Sequence, residues 1–240
     1  MIVTGYPQFN TQNDDGFGDG IPPIHEWQLV QSTCNDGFLG LDDADIDPEV
    51  QNVLIRLRHI FQRARRISLS TTTIHDLACF VIHRLLRQDS NTRISSLSPT
   101  TECFRCGIMI YMFYIQGTTY FSHAVVLDKL VHQFIEQLGR LDSMPRSHDS
   151  FYIWCLTVGM VASSGTDHYG WFVERLRVLV SGMGLVHWDE ALLCLESVLW
   201  LKTPQSESNL RSHWDGFLLD TQKSGLMLPT TSDGSTTISF

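Results

Sequence analysis

His75, Cys79 and His83 stand four residues apart in sequence. On a helix all three would project roughly the same way, and imidazole and thiolate are both ligands that a transition metal accepts. A neighbouring segment would have to complete the shell, and Asp76 is the one carboxylate close by, so polar side chains on a partly exposed helix face are the stronger reading. Cys103 and Cys106 are the closest pair among the six cysteines, Cys34, Cys79, Cys103, Cys106, Cys155 and Cys194. A structural zinc site needs a second close pair of Cys or His, and none follows. Small core side chains within apolar helical runs account for most of these cysteines, and no metal or cofactor is assigned. The other histidines are scattered, and no Gly-x-Ser-x-Gly elbow, phosphate loop or dinucleotide fingerprint occurs. Asp43-Ala-Asp45-Ile-Asp47 opens with the spacing of a calcium loop. Pro48 occupies the place of the obligatory glycine and Leu54 that of the closing glutamate, which rejects calcium. No catalytic residue is assigned, and the chain is read as a non-enzyme.

Arg56, Arg58, Arg63, Arg65 and Arg66 place five guanidiniums within eleven residues. They are candidates for phosphate contacts or for a nuclear-import signal. The helix that carries them needs its apolar side for packing, so a solvated face pairing with acidic residues elsewhere is favoured over nucleic-acid contact.

Those acids are concentrated. Of 26 acidic residues in 240, nine lie in residues 1–47, which hold no Lys or Arg, and the remaining 17 balance the 17 bases of the rest. Residues 1–47 are also rich in Gly and Pro, the composition of an acidic flexible tail, and Phe38 to Asp47 alternates bulky apolar and acidic residues as activation segments do. The segment is expected to be removable, leaving a folded domain near Pro48. The longest apolar run in a helical pattern, Gly107 to Ile115, is far short of the ~20 residues a membrane span needs. Residues 1–13 hold no base and no apolar stretch of the kind a secretory signal has, so an intracellular protein is expected.

From Pro48 onward the apolar spacing is helical almost throughout. Helices are expected over Pro48 to about Ala64, Ser70 to Gln88, Thr101 to Ile115, His123 to Leu141, His148 to Ser163, Thr166 to Ser181 and Trp188 to Leu201, with a short eighth around Leu210 to Leu218. The third is apolar nearly all round and belongs in the middle of the fold. Gly159, Ala162 and Ser163 would let a neighbouring helix approach closely, and Gly182 and Gly184 supply a stop. The fold class is all-α, an array of about seven to eight antiparallel helices behind an acidic disordered tail, with a flexible Ser/Thr-rich tail over 218–240. Trp154, Trp171, Trp188 and Trp200 recur about once per helix and are expected to meet in the core.

Phe151-Tyr-Ile-Trp154, Gly159, Ala162, Gly165, Trp171-Phe172-Val-Glu174-Arg175-Leu176, Met183-Gly184-Leu185-Val-His-Trp188-Asp189-Glu190 and Val198-Leu199-Trp200 together resemble the C-terminal half of the fungal-specific transcription factor regulatory domain. Ile82-His83-Arg84-Leu85-Leu86 and Glu102-Cys103-Phe104-Arg105-Cys106-Gly107 fit the same family less specifically. The resemblance covers about residues 48–217. It implies an all-helical regulatory and interaction region in the nucleus, acting on transcription and often on metabolic or secondary-metabolite genes. That domain usually follows a zinc binuclear-cluster module with six cysteines in a short basic segment, whereas the cysteines here run from Cys34 to Cys194.

The expectation is therefore a transcriptional regulator or co-regulator whose partners are a DNA-binding transcription factor or the transcription machinery, with a small-molecule effector also in view. A neutral helical domain behind an acidic tail is a poor match for DNA phosphates, so no specific DNA binding by the chain alone is expected. The alternative is a helical enzyme or accessory protein of a fungal secondary-metabolite pathway, which would need convergent polar groups in a pocket.

Overall fold

In the computed structural model, the structure describes residues 22–30, 46–91, 97–117, 124–141 and 149–225. Among them are nine helices and no strand: α1 (His25–Gln28), α2 (Pro48–Ala64), α3 (Thr71–Asn91), α4 (Pro99–Gln116), α5 (Ala124–Leu141), α6 (Asp149–Ala162), α7 (Tyr169–Met183), α8 (Trp188–Val198) and α9 (Pro204–Gly225). The all-α class holds.

Local chemistry sets the starts and stops. Pro opens α2, α4 and α9, where its missing N–H costs nothing because the first turn has no acceptor to offer. Asp47 caps α2 by accepting from the Glu49 N–H at 2.8 Å and the Val50 N–H at 3.4 Å. Ser98 caps α4 by accepting from the Thr101 N–H at 3.2 Å. The Asp47 N–H also donates to Thr101 Oγ1 at 2.9 Å, which ties the two helix starts together. Asp47 is thus a helix cap, while Asp43 and Asp45 of the calcium-like spacing lie outside the described residues. At the end of α7, Gly184 takes the left-handed conformation (φ 68°) that a side chain would resist.

Two helices form the middle of the molecule. On α4 every residue from Cys103 to Phe113 is buried, Arg105 included, and on α6 every residue from Phe151 to Met160 is buried. Arg105 is tolerated there because Glu102, one turn back, accepts from its Nη2 at 2.7 Å and its Nε at 3.1 Å. Around this pair α4 packs on α2, α3 and α5, while α6 packs on α5, α7 and α8. Glycines set how closely they meet. A Cβ on Gly107 would stand 2.7 Å from Trp154 Cζ3, and one on Gly159 would overlap the Phe172 ring.

Three expectations change. Residues 1–47 are not all tail: Trp27 of α1 is fully buried, edge-on to Phe80 with ring centroids 4.9 Å apart and flanked by the guanidiniums of Arg56 and Arg84 at 5.3 and 5.9 Å. The indole supplies an apolar plug whose electron-rich face attracts the two cations, so the segment docks although it lacks helical periodicity. Residues 1–21 and 31–45, with most of the acidic charge, lie outside the described residues. Second, α8 stops at Val198, and Leu199 is extended (φ −156°, ψ 117°). Third, α9 begins at Pro204 and runs to Gly225, across the boundary expected at 218; residues 226–240 lie outside the described residues.

Gly159→Ala is expected to lower stability by about 1–3 kcal/mol through overpacking. Gly139→Ala, at a helical site where an added Cβ meets nothing within 4 Å, is expected to raise it by about 0.5–1 kcal/mol. Thermal unfolding of the two variants beside the parent checks both signs. Trp27→Ala is expected to cost about 3–5 kcal/mol, a fall of roughly 2–4 °C in melting temperature per kcal/mol. A chain starting at residue 48 should melt at a similarly lowered temperature, and an unchanged melting curve in either would show the plug to be dispensable.

Candidate functional site

The five arginines of α2 and its end separate by environment. Arg56 is buried, its Nη1 donating to the Trp27 carbonyl at 2.7 Å and its Nε to Asn52 Oδ1 at 3.1 Å. A guanidinium is costly to desolvate unless its donors are used, and here they fasten α1 to α2. Arg56 is therefore withdrawn from the proposed phosphate or nuclear-import contacts. Arg63 and Arg66 are exposed. Arg58 and Arg65 share one face of α2 with Phe61 and Gln62, at positions i, i+3, i+4 and i+7.

That face looks across a cleft at α8. The cleft has a volume of about 440 Å³, and Leu193, Glu196 and Ser197 on α8 line its far side together with Trp200 just beyond the helix. Arg65 Nη2 reaches Glu196 Oε1 at 3.0 Å, spanning the gap, and Ser197 Oγ donates to the Cys194 carbonyl at 2.7 Å. Phe61 and Trp200 lie buried at its floor, and Leu193 stands exposed at the edge.

The far wall is held from both ends. At the start of α8, Glu190 reaches back to accept from the N–H groups of Val186 (2.8 Å) and His187 (3.1 Å). These two bonds, Val186 first, hold its carboxyl below the usual range. Beyond the end of α8, Trp154 Nε1 donates to the Leu199 carbonyl at 2.8 Å, and the Leu201 N–H donates to Tyr111 Oη at 2.8 Å. Burial pushes the Tyr111 phenol far up, so it stays neutral. Trp200, between the two anchored residues, lies within 6.5 Å of Tyr111 and 6.3 Å of Trp188 by ring centroid. Trp188 in turn meets Trp214 at 6.4 Å. Trp171 does not join this group: it is half-buried, with the Arg175 guanidinium 3.9 Å above its ring. Trp214 of α9 takes the place expected for it.

The remaining sequence candidates part company. His75 Nε2 lies 3.7 Å from Cys79 Sγ, and its other nitrogen pairs with the Gln116 amide. His83 is fully buried rather than on a partly exposed face. Burial, and then the Asp76 carboxylate, push the Cys79 thiol up. Cys103, Cys106 and Cys155 are buried between α4 and α6, where burial raises the Cys155 thiol well above its ordinary value and the two neighbouring thiols add to the effect. A thiol held protonated is a packing group, not a nucleophile. Among the described residues no group of three or more His, Cys, Asp or Glu side chains has an arrangement that could hold a metal ion.

Comparison with known proteins returned no family model, no curated protein and no solved structure that matches the chain. Sequence reasoning had marked Arg58 and Arg65 but missed their counterparts Glu196, Ser197 and Leu193. The i, i+3, i+4 spacing of Leu193, Glu196 and Ser197 was the available signal, and it needed the position of α2 to acquire meaning.

Because the folded-state value of Glu190 is depressed, its contribution to stability is present above the unfolded carboxyl value of about 4.3 and is lost as pH falls through the lower folded value. Glu190→Gln is therefore expected to melt below the parent at neutral pH, with the difference closing on acidification through that range. Melting temperatures of the two proteins across an acid pH series check this; a difference independent of pH would mean that the carboxylate charge plays no part.

Proposed function

We propose that this protein is a transcriptional regulator or co-regulator of the fungal-specific transcription factor type, acting on metabolic or secondary-metabolite genes in the nucleus through protein partners. The observation that carries the partner-dependent part is the dispersal of the arginines. Specific DNA recognition requires a phosphate-neutralising surface and an element that reaches base edges. Arg56 is used inside the fold and Arg65 is engaged by Glu196, so the cluster does not form one continuous cationic face.

The residues that carry the family resemblance support the rest of the reading, because they belong to one packed unit. Phe151 stacks on Phe104 with centroids 4.1 Å apart, Trp154 binds the Leu199 carbonyl, Gly159 receives Phe172, and Trp188 meets Trp200. A motif scattered over fifty residues thus describes a single core built from α4, α6, α7 and α8, which is what an inherited domain signature would describe.

The full chain fused to an unrelated DNA-binding domain is expected to change reporter transcription, and purified chain is expected to give no salt-resistant, sequence-selective mobility shift with promoter duplexes. Capture of a DNA-binding transcription factor by the tagged chain from fungal nuclei completes the test. A sequence-selective shift by the chain alone overturns the partner-dependent reading, and a silent fusion overturns the regulatory one.

A further inference from the structure

We infer that α9 is a displaceable strap over an aromatic groove, and that the groove takes an amphipathic helix of a protein partner with hydrogen-bond acceptors beside its apolar anchors. That the partner acts in transcription rests on the regulatory reading above, whereas the displacement rests on how α9 is seated. Leu210, Trp214 and Phe217 stand at i, i+4 and i+7 of α9 and are buried, while Arg211 and Asp215 pair with each other on its outer face. This is the anchoring pattern by which a helix lies in the groove of another protein. Among the described residues the extended helix contact of α9 is with α8. Leu201 is fixed by Tyr111 and α9 begins at Pro204, so Lys202 and Thr203 are the residues left to turn.

The seat fits imperfectly. A gap of about 10 Å³, too small for anything larger than a water, remains between Leu210 and the side chains of Tyr114, Val161, Leu195 and Trp200. The indole N–H groups of Trp188, Trp200 and Trp214 are buried and meet no acceptor among the described residues. Trp188 joins the other two, with ring centroids 6.3 Å from Trp200 and 6.4 Å from Trp214. Buried donors are ordinarily bonded, and an unanswered one is costly. When α9 leaves, Trp214 gains water, and the covered indoles of the body open to acceptors that α9 does not offer. A partner helix presenting Gln, Asn or Glu there makes bonds that α9 lacks, which offsets the advantage α9 holds by being tethered. The α9 of a second copy would leave the same donors unanswered, so exchange between copies is disfavoured.

The test is fluorescence anisotropy of a labelled synthetic peptide of residues 204–225 titrated with the full chain. The peptide is expected to bind, and to lose about tenfold or more in affinity when Leu210, Trp214 and Phe217 are all replaced by alanine. A peptide in which benzothienylalanine takes the place of Trp214 keeps the ring shape without the N–H, and is expected to bind about tenfold more tightly than the parent peptide. Full chain carrying Leu210→Ala, whose own α9 is loosened, is expected to bind the parent peptide about tenfold more tightly than the parent chain does, with cooperative melting to confirm its fold. No binding to either chain, or equal binding of the alanine peptide, overturns the strap. A benzothienylalanine peptide that binds no more tightly than the parent peptide overturns the acceptor-bearing partner, and a dimer of the full chain in light scattering overturns it in favour of a second copy. These outcomes are read without transcription. A silent reporter fusion in a chain that binds the peptide removes the regulatory reading and leaves the strap standing.

Discussion

Leu199, Trp200 and Leu201 are buried beyond the end of α8: the Leu199 N–H still donates to the Leu195 carbonyl at 3.0 Å, but Leu199 is extended, so its carbonyl and the Leu201 N–H lie past the helix ladder. An unpaired buried carbonyl or N–H costs about as much as a lost hydrogen bond, so a chain can pass through the core in this conformation only where side chains supply the missing partners. Trp154 from α6 gives its indole N–H to the Leu199 carbonyl, and Tyr111 from α4 receives the Leu201 N–H. Each central helix contributes one aromatic side chain with a polar end, which meets the apolar and the polar demand together. The arrangement fixes where α8 ends, where Trp200 stands, and from which point α9 departs.

The same two rings connect that segment to the packing of the centre. Trp154 can reach Leu199 because Gly107 on α4 leaves room for the indole, and a Cβ there would stand 2.7 Å from Cζ3. Phe172 occupies the room left by Gly159 one turn and a half further along α6. Small residues on one helix opposite large rings on its neighbour give native packing density without forcing the backbones apart. At the edge, Trp27 solves a different problem. Its carbonyl accepts from Arg56 while its ring lies beneath the same guanidinium, so one residue satisfies a buried charge and fills a gap above α2 and α3.

Most of the longer helices were legible because an apolar stripe repeats in them several times, and the starts of α2 and α3 were legible from Pro48 and the hydroxyls near Ser70, whereas α4 opens at Pro99 before the expected Thr101 and α9 at Pro204 before the expected Leu210. The central place of α4 could be read from its apolarity on all sides. What escaped depends on tertiary partners. A four-residue helix such as α1 has no period to detect, and the nine acids around it suggested a tail. The apolar pattern of Val198-Leu199-Trp200-Leu201 continues that of α8, so nothing local announces a stop that Trp154 and Tyr111 impose from other helices. The arginines were visible as a cluster, but their helical angles alone could not say that Arg56 would turn under α1 while Arg58 and Arg65 faced α8. Trp171 and Trp214 changed roles for a related reason: spacing counts rings per helix, whereas burial depends on which helix lies opposite.

The cleft follows from this division of partners. Of its walls, α2 rests on α4 and α8 rests on α6. Its width is therefore set by how α4 meets α6, the contact governed by Gly107 and Trp154, with Arg65 and Glu196 as the polar link across the gap. An exposed ion pair of this kind contributes little to stability. Its geometry is inherited from the core rather than imposed on it. Phe61 and Trp200 at the floor of the cleft belong to the buried aromatic system, and the Arg65–Glu196 pair stands nearer the surface.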